Sequence, residues 1–173
     1  MYKFYSLIAA LLFMLNLQSA RAQQFRAPKE YSFDNEGSYR QYEKDVIKFI
    51  NWIQDKRVDE TSENYKSSLV FFNVWLSGCP YVRYNENVRI ESVFSDIPDL
   101  RIYYVVGYVK YALQSHSQNS MNDKIRCSVA GLESMLKEYR RDFRADKRNG
   151  DIEDLQKIYD QGKLLEWVEE RMH

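Results

Sequence analysis

Ile125, Val129, Leu132, Leu136, Tyr139 and Phe143 recur at steps of four and three residues without interruption. That spacing puts all six on one face of an α-helix, whereas a strand would scatter them over both of its faces. The same period appears in Tyr39, Tyr42, Val46, Phe49, Ile50 and Ile53, and again in Tyr65, Leu69, Phe72 and Leu76. Six Gly and three Pro among 173 residues leave little material for the tight turns of a β-sandwich. An all-α fold is therefore expected.

The helix boundaries follow from capping and breaking residues. Ser38 with Gln41 reads as a capping box that opens a helix running to about Arg57. Asp59 to Ser62 offers caps for a second helix, which Gly78 and Pro80 end. Val70, Phe71, Val74 and Trp75 make that helix apolar around much of its circumference, as a central helix would be. Residues 79–95 are the least regular stretch: Tyr81 to Tyr84 has strand character, Asn85 to Asn87 reads as a turn, and Val88 to Phe94 suits a short helix or an extended return.

Asp96 caps a third helix with Pro98 in its first turn, and Gly107 in that helix marks a close approach to a neighbour. Asn122 starts the cleanest helix, with Ala130-Gly131 as a second close-contact point. Asn149-Gly150 forms a turn, Asp151 caps a last helical region lined by Ile152, Leu155, Ile158, Leu165 and Val168, and Gly162 is a candidate break. Five or six helices joined by short links pack as antiparallel hairpins, either as a bundle or as a short tetratricopeptide-like stack.

The first 22 residues have the layout of a secretory signal peptide: Lys3, the apolar run Leu7 to Leu15, and the small-residue site Ala20-Arg21-Ala22. The run is about half the length a membrane span needs, and no lipid-attachment cysteine precedes Cys79, so no stable membrane insertion is expected after cleavage. The organisation expected is a signal at 1–22, a flexible lead-in at 23–37 and one helical domain at 38–173. Cleavage leaves 23 basic against 25 acidic residues. So balanced a chain has no global field to attract nucleic acid. The protein is expected in the periplasm or outside the cell. In an oxidising compartment Cys79 and Cys127 can pair as a disulfide; the alternative is two buried, unpaired thiols.

Signals of catalysis are weak. His116 and His173 stand at no metal-ligand spacing, there is no phosphate loop or nucleophile elbow, and no cofactor or metal is implied. A calcium loop around Gly150 fails because Ala145 and Lys147 fall where oxygen ligands belong. Arg140, Arg141, Arg144, Lys147 and Arg148 form a basic cluster at a helix C-terminus, interrupted by Asp142 and Asp146. Tyr81, Arg83 and Tyr84 are the candidate binding residues, since aromatics and a guanidinium in a loop suit recognition without catalysis. The alternative is that the tyrosines close the edge of the core.

Three phrases, Val74 to Pro80, Tyr104 to Leu113 and Asp123 to Glu133, resemble a group of small exported helical proteins of Bacteroidetes-type bacteria. The likeness covers roughly Tyr42 to Val168, and it implies export and an all-α fold. That group brings no catalytic residues to carry over. Two functional readings stand: a non-catalytic module binding a protein or small ligand, and a carbohydrate- or cell-wall-processing enzyme whose paired carboxylates only the fold brings together. Intact-mass measurement of the exported protein checks the leader: the expected first residue is Gln23, and a mature chain retaining Leu7 to Leu15 would refute it.

Overall fold

Short polar side chains at the chain's helix starts satisfy amide groups that the helix itself leaves without partners. The Asn35 side chain accepts from the Ser38 amide at 3.1 Å, and the Ser38 hydroxyl accepts from the Asn35 amide at 3.1 Å. The box therefore sits three residues earlier than expected, with Ser38 in its third position. Ser62 caps as read. Ser120 and Asp123 make the reciprocal pair that opens the longest helix. Asn149, rather than Asp151, accepts from the Asp151 and Ile152 amides. Asp96 caps nothing; Pro98–Leu100 is a 3₁₀ turn entered from Ile97, without a side-chain cap.

The computed structural model describes residues 24–55, 58–115, 120–142 and 148–172. The leader, Gln23, Arg57, His116, Phe143, Arg144, Asp146, Lys147 and His173 lie outside the described residues. Among the described residues the chain is all-α, with no strand. Its helices are α1 (Glu36–Gln41), α2 (Glu43–Asp55), α3 (Glu63–Gly78), α4 (Val88–Glu91), α5 (Arg101–Ser115), α6 (Met121–Asp142), α7 (Gly150–Asp160) and α8 (Leu164–Met172). The count exceeds the five or six expected for physical reasons. Tyr42 breaks the first helix in two, and Val88–Glu91 takes the helical alternative.

Gly162 makes the break foreseen between α7 and α8. It adopts φ +71°, and the Lys163 and Gly162 amides close back on the carbonyls of Ile158 and Tyr159. Those two bonds are a Schellman ending, which needs a left-handed residue that glycine supplies without strain.

The longest interface runs between α5 and α6. A Cβ on Gly107 would lie 2.6 Å from the Ala130 carbonyl oxygen and 2.6 Å from the Ser134 Cβ. One on Gly131 would lie 2.8 Å from the Tyr104 ring. Both contact points read from the sequence are therefore places where backbone meets backbone. Further along, Tyr108 and Ala112 share a crevice with Asp123, Lys124 and Cys127.

A second layer is aromatic. Phe49 of α2 stacks on Phe72 of α3 with ring centres 4.9 Å apart, and the Trp75 indole donates to the Tyr39 carbonyl at 3.0 Å. Residues 24–35 have neither helix nor strand, as a lead-in would, yet they are packed down. Phe25 is buried against Phe49, Trp52 and Phe71, and Asn64 Nδ2 donates to its carbonyl at 2.8 Å. Tyr31 and Phe33 continue the contact onto Phe71. An extended segment holds this way because three rings leave water together.

Gly107→Ala should lower stability by about 1–3 kcal/mol through overpacking, despite alanine's better helix propensity. Gly150→Ala, where a Cβ meets nothing within 4 Å, should be neutral or gain up to about 1 kcal/mol. Urea midpoints for the two variants check both, and equal midpoints would refute the close approach.

Candidate functional site

Proline cannot continue the ladder at the end of α3, and the chain leaves the helix at Cys79 in an extended conformation (φ −62°, ψ 120°). The next residues differ in burial. Tyr81 and Val82 turn inward, Arg83 is exposed and Tyr84 is half-buried. Side chains far along the sequence hold this loop. The Tyr108 hydroxyl on α5 donates to the Arg83 carbonyl at 3.3 Å, and the Tyr84 ring packs edge-on against Tyr104 and Tyr108.

The strongest anchor is Glu91. Its Oε1 accepts from the Tyr84 hydroxyl at 2.6 Å and from the Asn87 amide at 3.0 Å. Its Oε2 lies 3.3 Å from Arg101 Nε, and Arg101 reaches Glu86 at 3.1 Å. Glu91 is 7% exposed. A carboxylate so withdrawn from water persists only when charge-assisted bonds occupy its oxygens. Arg101 bridges two carboxylates here, but both oxygens of Glu91 are already engaged. The arrangement holds the loop.

Between the end of α3 and this loop lies an open groove of about 650 Å³, within the range of small-ligand sites. Arg83 and Tyr84 line it with Asn73, Leu76, Cys79 and Asn85. Among the described residues Arg83 has no ion-pair partner, so a tethered backbone presents a free guanidinium. Tyr81 does not line this groove, although it shares a narrow crevice with Arg83. It packs edge-on against Trp75, the Arg40 guanidinium covers its ring at 4.3 Å, and its hydroxyl faces Glu43. Asn73, Asn85 and the Glu91–Arg101 support were not picked out from sequence. Of these, the lone acid among Val88 to Phe94, a segment with four apolar residues in seven, was the available signal.

Both cysteines are buried and unpaired, so the disulfide is not formed in this structure. Cys79 closes α3 beside the backbone of Tyr81 and Val82, whereas Cys127 lies within α6 beneath Tyr108. Burial pushes the Cys79 thiol up and the Cys127 thiol up to about 12, which disfavours the nucleophilic thiolate. Among the described residues no cluster of His, Cys, Asp and Glu could hold a metal, and no helix is long and apolar enough to cross a membrane. The three described members of the basic cluster have different partners. Arg141 pairs with Glu138, Arg148 with Glu153, and Arg140 lies over the Tyr159 ring. Comparison with protein-family models, curated proteins and solved structures returns no match.

The phenols around the loop titrate late. Desolvation, and for Tyr84 also its bond to Glu91, raises the ionisation of Tyr84, Tyr104 and Tyr108 well above the ordinary value; Tyr65 rises to about 12 by burial. A raised pKa in the folded state leaves stability intact below the unfolded value near 10. Above it the unfolded chain loses protons first, and each such group removes about 1.4 kcal/mol per pH unit. Stability should therefore fall steeply above about pH 10, and Tyr84→Phe should flatten that fall by one group's share. Urea melts with phenolate absorbance check this, and a flat stability through the same range would contradict it.

Proposed function

We propose that this protein is an exported, non-catalytic binding module whose ligand is a small polar molecule lodged in the groove between α3 and the loop 79–85. The observation that carries this is the free Arg83 guanidinium beside Tyr84 in a ligand-sized groove, on a loop held by Tyr108 at the Arg83 carbonyl and by Glu91 at the Tyr84 hydroxyl. Binding without catalysis favours such preorganisation, because little freedom is lost when the ligand arrives. The lining suits a ligand with a carboxylate or carbonyl for Arg83, hydroxyl or amide groups for Asn73 and Asn85, and an apolar face for Leu76 and Val82.

Export is part of the same proposal. It rests on Lys3, the run Leu7 to Leu15 and Ala20-Arg21-Ala22, and agrees with the resemblance noted above. The thiols add no competing chemistry, since burial keeps both protonated near neutral pH.

Incubating wild type and Arg83→Ala with envelope extract, then identifying retained small molecules by mass spectrometry, tests the reading. A compound held by wild type should be lost from the variant, whose exposed side chain contributes nothing to the core. Identical retained sets, or turnover of added glycans by both proteins, would refute it.

A further inference from the structure

A second groove, of about 320 Å³, lies where α2, α5, α6 and α7 meet, and its charges are unusual. Lys110 of α5 and Lys137 and Arg140 of α6 line it, against one carboxylate, Glu133. Among the described residues none of these three cations has a carboxylate within ion-pair distance. Their neighbours are different: Arg141, Arg148 and Lys157 each hold one.

The best-placed cation is held without being neutralised. Lys110 Nζ donates to Gln54 Oε1 at 2.9 Å, while Gln54 Nε2 donates to the Ser134 hydroxyl at 2.8 Å. Gln54 thus orients the ammonium through a neutral acceptor and leaves two of its three protons for another partner. Lys137 and Arg140 are neighbours one turn apart on α6. The Arg140 guanidinium lies 5.4 Å from the Tyr159 ring, which limits its motion without cancelling its charge. Three like charges on one concavity repel one another, and a bound anion relieves that repulsion.

We propose that this groove is a second binding site, for a small anion carrying two or more negative charges on carboxylate or phosphate groups. The site is independent of the Arg83 groove and of the function proposed for it. Its volume, at the low end for small-ligand pockets, limits the ligand to a compact molecule.

Calorimetric titration of the protein with citrate and with pyrophosphate at low ionic strength tests the proposal. One-to-one saturable binding of at least one probe is expected, weakening as potassium chloride is added. Losing one charge-assisted contact in Lys110→Gln or Arg140→Gln should weaken it by about tenfold or more. Glu133→Gln should tighten it, and Arg83→Ala should leave it unchanged. The tighter probe assigns the ligand to the carboxylate or phosphate class. Lys137→Gln, which breaks no hydrogen bond among the described residues, serves if Lys110→Gln alters the circular dichroism spectrum. Absence of saturable binding by both probes, or wild-type affinity in the glutamine variants, would overturn the site.

Discussion

The backbone contact of α5 with α6 at Gly107 and Gly131 is the constraint on which the remaining architecture hangs. With no Cβ at either point, α5 settles against the Ala130 carbonyl and α6 against the Tyr104 ring. Such closeness makes α5 a packed, central rod whose other sides can carry weight. Tyr104 and Tyr108 support Tyr84 of the loop, while Lys110 reaches Gln54 of α2. The loop, the groove beside it and the end of α2 therefore inherit their positions from two residues chosen for having no side chain.

Ion placement follows the same economy. Glu91, a nearly buried acid beside the first groove, is surrounded by a phenol, an amide and a guanidinium. Removing any one donor would leave a buried charge short of a partner, which costs more than the bond contributes when made. Gln54 does the opposite for Lys110: it supplies geometry and withholds charge. One acid is thus committed to the scaffold, while one base remains electrostatically open. Chemical availability, rather than residue type, separates the supporting groups from the binding ones.

What could be read from the sequence was what is local. Apolar period located α2, α3, α5 and α6 because a helix's buried face is written within its own residues. Three caps slipped by two or three positions because Asn35, Ser38, Ser120, Asn149 and Asp151 are all chemically able to cap, and only packing chooses among them. Tyr81 and Tyr84 look alike in the chain, yet one covers Trp75 and the other answers a glutamate seven residues on. Their roles depend on Arg40, Glu91 and Tyr108, which no spacing rule connects to them. The lead-in carries no period of its own, because Phe25 finds its partners on two helices.

Helix geometry also decides how the two grooves relate. Tyr108 and Lys110 stand two residues apart on α5, and two residues turn a helix by about 200°. The side chain that holds the Arg83 loop and the one that enters the cationic groove thus leave opposite sides of the same helix. A ligand in one groove does not touch the other, and coupling between them would have to move α5 itself. That helix is locked where Gly107 meets Ala130, at the closest approach it makes to α6. A rod held that tightly transmits little: without a second arrangement of α5, occupancy of one site has no differential free energy to pass on. The two grooves are then expected to fill additively.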